Sequence, residues 1–345
     1  MSGHGFGHAS RVIEVINALI DRRPDLQIIL RSSVAPWLVQ RTVRHGVELM
    51  PAEVDTGAVQ LDSLRLDPVA TIERAEAFMS TFDQRLAGEA ALLRDRGAAL
   101  VVADLPALGI AAGAAVGVPT IAFGNFTWDW IYEYYEGGDA VARRIGELYS
   151  RATAAFRLPM WGGFATMPAV RDVPFVARRS NRNPQDVRRT LGIPLEARAV
   201  LLSFGGYGLD GLNTEALAHL PGYHVLLPGM IDEQALYRAG YRYEDLVRAV
   251  DVVVTKPGYG IISECLANET AMLYTSRGRF REYDVLVAAM PAFLRCQFID
   301  HDDLFAGRWA PHLDELLSQP PPPTRPQTNG AQVVADLLEE MLPRT

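Results

Sequence analysis

The sequence predicts an α/β protein built as two doubly wound domains, and three observations predict it. Strand-like runs of β-branched and apolar residues alternate with helical patterns along most of the chain. Several of those runs stop at a glycine turn from which a helical pattern starts, as parallel sheets do where they present ligand sites at their carboxyl edge. A length of 345 residues suits two domains with a core each.

The stretch around which the rest is organised is Ala249–Glu264. Ala249-Val250-Asp251-Val252-Val253-Val254 is a buried parallel strand by its composition, and it runs into Lys256, Pro257, Gly258, Tyr259 and Gly260. A helical pattern follows, with Ile261, Ile262, Cys265 and Leu266 on one side. Glycines at 258 and 260 leave backbone N–H groups uncovered, and the helix directs its positive end at the same place, which makes a phosphate or pyrophosphate cradle. Ser263 and Glu264 stand about one turn in, where a carboxylate suits two ribose hydroxyls. The simpler alternative is a tight strand-to-helix turn with Ser263 near the helix start and Glu264 in solvent. Lys256 is the only lysine in the chain, every other strongly basic side chain being arginine, so a compact ammonium is selected at this turn.

Composition narrows the function classes. Hydrophobic residues make up 49% and charged residues 21%, an ordinary globular balance. A net charge of −8 argues against nucleic acid as a partner. No apolar run approaches the roughly 18 residues of a membrane span, and no signal peptide precedes the first motif. Cys265 and Cys296 are the only cysteines, which suggests reduced thiols in a cytoplasmic protein. With only two cysteines, neither a structural metal nor another cofactor is expected.

Taken in order, the chain opens on Ser2-Gly3-His4-Gly5-Phe6-Gly7-His8-Ala9-Ser10-Arg11, a glycine loop followed by an amphipathic helix from Val12 to Ile20. Such a loop ordinarily follows a first, central strand, so about five to eight apolar residues are expected upstream of Met1. His4 and His8 are candidate general bases, or packing groups beside the loop. Leu26–Arg31 and Val47–Met50 are strands around a short helix at 36–45, and Asp55–Gln60 is a loop. Residues 68–96 make one or two helices, Leu100–Asp104 a buried strand ending in a carboxylate, 107–116 a helix and Pro119–Phe123 a strand. Asn125-Phe126-Thr127-Trp128-Asp129-Trp130 and three nearby tyrosines then suit the wall of an acceptor site or an aromatic cluster closing the domain. A helix over 140–155, a strand to Leu158 and an irregular Pro/Gly-rich stretch over 159–174 lead to a boundary near 175–180.

The alternation then restarts. A helix capped by Asn183 covers 184–191, and Ala199–Phe204 is a strand running into Gly205-Gly206-Tyr207-Gly208. His224–Gly229 is a strand, Tyr243–Ala249 a helix and Met272–Tyr274 a strand, followed by Ser276–Tyr283 and a helix. Residues 319–329 are a proline-rich linker and 330–342 a last helix. The two units are expected to face a shared cleft.

Gly3-His4-Gly5-Phe6-Gly7-His8-Ala9-Ser10-Arg11, Asp55–Gln60, Asn125–Asp129, Phe204-Gly205-Gly206 and Lys256–Gly260 with Ser263-Glu264 resemble, in that order, the amino-terminal glycosyltransferase-like half of plant L-arabinokinases. That half is similar to the GT-B glycosyltransferases that build peptidoglycan lipid intermediates, two Rossmann-like domains facing a central cleft. The ATP loop of the GHMP-kinase half does not occur in these residues, so the resemblance does not imply sugar kinase activity. It implies an acceptor-binding domain over 1–177, a donor-binding domain over 178–325 and a terminal helix over 326–345 that packs back across the domains. The donor would be a nucleotide-sugar, UDP-linked, and the acceptor a small or lipid-linked hydroxyl compound, with transfer metal-independent and inverting. On the donor side Glu264 would hold the ribose, Gly258, Tyr259 and Gly260 with Gly205 and Gly206 the diphosphate, Lys256 a phosphate and Glu282 the sugar. His8 would be the base, with Asp104 or Asp129 orienting it or serving instead, and His4, Phe6, Asn125 and Trp128 would line the acceptor. A silent nucleotide-sugar-binding module and a nucleotide-sugar 2-epimerase are the alternatives.

Overall fold

The computed structural model describes residues 1–205, 208–227, 229–231 and 233–343. They form two compact units: unit 1 is Met1–Gln60, Leu66–Val176 and Asn329–Thr345, and unit 2 is Leu61–Arg65 and Ala177–Thr328.

Unit 1 runs α1 (Phe6–Arg22), β1 (Ile28–Ser32), α2 (Pro36–Thr42), β2 (Val47–Pro51), α3 (Pro68–Ser80), α4 (Phe82–Asp95), β3 (Val101–Ala103), α5 (Ala107–Val116), β4 (Thr120–Phe126), α6 (Trp128–Glu133), α7 (Asp139–Tyr149), β5 (Ala154–Gly162) and β6 (Val170–Asp172). All pairings are parallel, in a two-stranded sheet β1-β2 and a four-stranded sheet β3-β4-β5-β6. Met1 and Ser2 bond to the carboxyl ends of both sheets: the Met1 amino group donates to Arg31 O at 3.0 Å and Ser2 N to Asp104 O at 3.2 Å. Their burial sets the glycine loop, which begins at Gly3, at the edge where β1 and β3 end.

Helix α1 starts at Phe6, six residues before the amphipathic pattern that announces it, because Gly5 takes the N-cap and residues 6–9 already turn with the helix. Two further segments differ from expectation. Trp128–Glu133, which the sequence suggested only as an aromatic wall or cluster, is a helix, since Trp128, Ile131 and Tyr132 fall on one buried helical face. Part of the Pro/Gly stretch after Leu158 is strand: β5 continues to Gly162 across a register shift against β4, and β6 adds on its other side.

Unit 2 contains α8 (Pro184–Leu191), β7 (Arg198–Leu202), α9 (Thr214–Ala218), β8 (Tyr223–Leu226), α10 (Glu233–Arg238), α11 (Tyr243–Ala249), β9 (Val252–Thr255), α12 (Tyr259–Asn268), β10 (Ala271–Tyr274), α13 (Glu282–Ala289), β11 (Cys296–Phe298), α14 (His301–Ala306) and α15 (Ala310–Ser318). Its sheet is parallel in the order β11-β10-β9-β7-β8. Val252, Val253 and Val254 are fully buried, as a central strand with helices on both faces requires. Leu64 inserts into this core, and Ser63 Oγ donates to Phe204 O at 2.9 Å, so the hairpin over 61–65 packs as part of unit 2. Asn183 caps α8 through its side chain, as its position before Pro184 predicts.

The last helix, α16 (Gly330–Glu339), packs on α1 and on the β4–β5 side of unit 1 through Ala331, Val334, Ala335 and Leu338. Its entry is tight. Gly330 N donates to Phe175 O at 2.9 Å, and a Cβ at Gly330 would stand 2.2 Å from Pro174 O and 2.7 Å from Phe175 O. Both obstacles are backbone, so Gly330→Ala is expected to destabilise unit 1 by about 1–3 kcal/mol. A lowered denaturant midpoint for the variant checks this, and an unchanged midpoint would show that the helix entry adjusts freely.

Candidate functional site

In unit 1 the glycine loop, the start of α1 and the carboxyl ends of β3 and β4 gather a buried polar network. Arg11 is its centre: Nε donates to Asp104 Oδ1 at 3.0 Å, Nη2 also donates to Asp104 Oδ1, and Nη1 donates to Asn125 Oδ1 at 3.0 Å. Asn125 completes its own bonding by donating Nδ2–H to Pro159 O at 2.8 Å. His8 Nδ1 lies 3.2 Å from Asp104 Oδ2 and 2.8 Å from Arg11 Nη2. The imidazole sits edge-on to Phe126 at 5.7 Å and stacks on Trp128 at 6.2 Å. Burial, only partly opposed by Asp104 and reinforced by the Arg11 charge, holds the His8 pKa below its ordinary value. Burial disfavours the Asp104 charge, but the Arg11 guanidinium and His8 outweigh it and keep the carboxyl ionised.

Beside this lies a second cluster. Asp55 accepts hydrogen bonds from Ser2 Oγ and from Trp128 Nε1 at 3.1 Å, and its Oδ1 stands 3.0 Å from His4 Nε2. Phe6, at the start of α1, is exposed and meets Trp37 edge-to-face at 6.1 Å.

The structure therefore brings His4, His8, Asp104, Asn125 and Trp128 to one edge of unit 1, with two changes from expectation. Asp129 does not orient His8: its Oδ1 accepts from Trp130 N at 2.8 Å and its Oδ2 from Thr166 Oγ1 at 3.0 Å, which commits it to the start of α6. Asn125 and Trp128 spend their polar atoms inside the protein, so they shape the site rather than offer open hydrogen bonds. Sequence reasoning missed Arg11 and Asp55 as members. Both lie in quoted motifs, but each acts through a partner dozens of residues away.

In unit 2 a short turn joins β9 to α12, which starts at Tyr259, two residues before the helical pattern in the sequence. Gly258 is the N-cap of α12, no side chain caps it, and no acidic residue stands in the first turn. Tyr259 and Gly260 are the first two residues of the helix. Lys256 is half-buried beside this turn. Its pKa is lowered to about 7 by burial and then by the Arg277 charge, which outweigh Asp62. Its ammonium meets no carboxylate at ion-pair distance among the described residues. Arg277 stacks on Phe280 at 3.7 Å and donates from Nη1 to Glu282 Oε1 at 3.3 Å. Gly205 follows the end of β7, and Gly206 lies outside the described residues.

Two donor-side residues are placed unexpectedly. Ser263 Oγ donates to Tyr259 O at 2.8 Å, inside its own helix. Glu264 is buried rather than solvated: Arg178 donates Nε to its Oε1 at 2.8 Å and Nη2 to the same oxygen, while Arg178 Nη1 stands 3.5 Å from Glu244 Oε2. Burial raises the Glu264 pKa and Arg178 opposes the rise. Breaking this pair is expected to cost about 3–5 kcal/mol in Arg178→Met, because a buried carboxylate loses its partner. Urea unfolding followed for unit 2 checks it, and a loss under 1 kcal/mol would mean that water replaces the guanidinium.

The architecture of both units is that of the GT-B fold, two Rossmann-like α/β units. A glycotransferase of kitacinnamycin superposes with a TM-score of 0.65 at 19% identity, covering 99% of this chain and 98% of the other. A UDP-glucose: anthocyanidin 3-O-glucosyltransferase in complex with UDP gives 0.58 at 11% identity, covering 98% and 94%. In sequence, the chain is 31% identical to the L-arabinokinase of Arabidopsis thaliana over 359 aligned positions, 99% of this chain. It spans about a third, 34%, of that relative's length. No protein-family model matches the chain.

Proposed function

We propose that the chain is a glycosyltransferase that moves a sugar from a nucleotide-sugar to an acceptor hydroxyl. The observation that carries this reading is the β9–α12 turn: an uncapped helix N-terminus preceded by the chain's single lysine, half-buried and with no ion pair among the described residues. A diphosphate supplies the missing negative charge, and the first-turn amides donate to its oxygens. The UDP held by a protein of the same fold supports a UDP-linked donor.

In this reading unit 2 binds the donor. Gly258, Tyr259 and Gly260 with Lys256 and Gly205 hold the diphosphate, Glu264 the ribose and Glu282 the sugar. Arg178 donates to Glu264 Oε1, and in this reading the ribose is taken by Oε2. Unit 1 holds a small or lipid-linked acceptor, with Phe6 and the network around Trp128 as its walls. A histidine of the amino-terminal loop takes the hydroxyl proton in a single inverting displacement, and His8 beside Asp104 is the one the resemblance carries over. The helix end stabilises the charge that develops on the departing diphosphate. The two free cysteines suit a cytoplasmic protein.

Calorimetric titration with UDP and dTDP at pH 7 tests the reading, with micromolar binding of one of them expected. Binding of neither overturns it. Lys256→Met is expected to weaken that binding roughly 10–100-fold, the loss of one charge-assisted hydrogen bond.

The sign of the pH dependence follows from Lys256. Its free-state pKa of about 7 means that it is increasingly neutral above pH 7 and must take up a proton when the diphosphate binds. Affinity is therefore expected to fall between pH 7 and 9, by at most about tenfold per unit, and the slope should disappear in Lys256→Met. Glu264→Gln is expected to weaken the nucleotide and leave inorganic pyrophosphate unchanged, and an equal loss for both would remove Glu264 from the ribose.

A further inference from the structure

The amino-terminal loop carries two His–Asp pairs, and they are not chemically equivalent. In the first, His8 Nδ1 meets opposite demands: Arg11 Nη2 can only donate and stands 2.8 Å away, while Asp104 Oδ2 can only accept and stands 3.2 Å away. A proton on Nδ1 opposes the guanidinium, and a lone pair on Nδ1 opposes the carboxylate. The shorter contact favours an accepting Nδ1, which puts the neutral ring's proton on Nε2 and leaves that nitrogen unable to accept another. The His8 side chain is also only 10% exposed.

His4 differs on each count. Its Nε2 lies 3.0 Å from Asp55 Oδ1 and 3.2 Å from the Asp55 carbonyl oxygen. Both are obligate acceptors, so Nε2 carries the proton and the neutral ring's lone pair is on Nδ1. Nδ1 makes no hydrogen bond among the described residues and is not sealed from solvent, and the side chain is 24% exposed. Asp55 is itself anchored by Ser2 and Trp128. Gly57 makes the space for the ring: its φ is +62°, and a Cβ there would come within 2.5 Å of His4 Cγ.

We propose that His4, oriented by Asp55, is the general base of the transfer and acts through Nδ1. The proposal rests on the transferase reading above. Nδ1 takes the acceptor's hydroxyl proton as that oxygen bonds to C1 of the donor sugar. The bond from C1 to the diphosphate oxygen breaks, its electron pair leaves with the diphosphate, and His4 ends as an imidazolium paired with Asp55. His8 remains neutral, packed between Phe126 and Trp128.

The charged groups that face His4 are Asp55 from the loop before α3 and Arg74 from α3 itself. Burial and Arg74 disfavour the protonated ring, and Asp55 outweighs both, so the His4 pKa lies above 6.5 while that of His8 lies below it. A base must be neutral to act. Activity through His4 is thus lost as pH falls through a value above 6.5, and activity through His8 only below 6.5.

The test is the pH dependence of diphosphate release from UDP-glucose and dTDP-glucose, with water as acceptor, in the wild type, His4→Gln and His8→Gln. Nitrogen-15 imidazole spectra of the wild type accompany it. The expected result is an acid limb above pH 6.5 and a kcat lowered roughly 10²–10⁴-fold in His4→Gln, more than in His8→Gln. The spectra should show His4 protonated on Nε2 and titrating above His8. An acid limb below 6.5 that His8→Gln abolishes, or a neutral His4 with its proton on Nδ1, overturns the proposal. Gln at position 4 keeps an N–H for Asp55, and the wild-type spectra need no variant to fold. Failure of the wild type to bind any nucleotide or release diphosphate counts against the transferase reading instead, and is separate from a wrong tautomer at His4.

Discussion

Unit 1 depends on the burial of one guanidinium. Arg11 is 6% exposed and Asp104 1%, and placing either charge there alone would cost several kcal/mol. Paired, they tie the start of α1 to the end of β3, and the Asn125 bond adds the end of β4. Asn125 passes the constraint on to β5 through Pro159 O. One side chain therefore fixes the carboxyl edge of three strands relative to the helix that follows the glycine loop. The glycine-rich stretch over residues 3–8 is held at both ends: by Ser2 on Asp55 and Asp104 before it, and by Arg11 after it.

Unit 2 handles its charges differently, and the contrast is informative. Arg178, like Arg11, is held by carboxylates, here Glu264 and Glu244, although it is only partly buried. Lys256 is not so held: burial and Arg277 both disfavour its charge, and Asp62 opposes them without restoring it. A cation that is half desolvated next to a helix N-terminus is a poor choice for stability alone. It is a good choice where an anion arrives, because the desolvation has been met in advance and the ammonium then gains a full partner.

The parallel strands were legible because burial on both faces demands continuous apolar runs, and Val252–Val254 or Ile121–Phe123 have no other good home. The turn at 256–260 was legible for a local reason as well, its glycines and lysine being adjacent in sequence. The pairs that build the site are not local. Arg11 and Asp104 are 93 residues apart, Asp55 and Ser2 53, Arg178 and Glu264 86. No periodicity records which carboxylate a given arginine will meet, so Asp129 looked as suitable as Asp104, and nothing near Glu264 in the sequence announced the clamp by Arg178. Helix α6 was hidden for another reason: aromatic residues suit strands and walls as well as helices, and only the contact of Trp128 with Asp55 and Tyr132 settles which face is inward.

Two histidines four residues apart, each beside an aspartate, invite one description, yet their surroundings separate them. Arg11 is the difference. An arginine beside a His–Asp pair competes for the ring nitrogen that the aspartate would otherwise protonate, and its charge opposes the imidazolium that a base must become. Asp55 has no such rival: its other partners are a hydroxyl and an indole N–H, both neutral donors that stabilise the carboxylate without cancelling its charge. At His4 the charge of Asp55 outweighs burial and Arg74, whereas at His8 burial and Arg11 outweigh Asp104. The residue that holds unit 1 together is, by the same bonds, the one whose charge opposes protonation of His8, and on that ground the base is proposed to be His4.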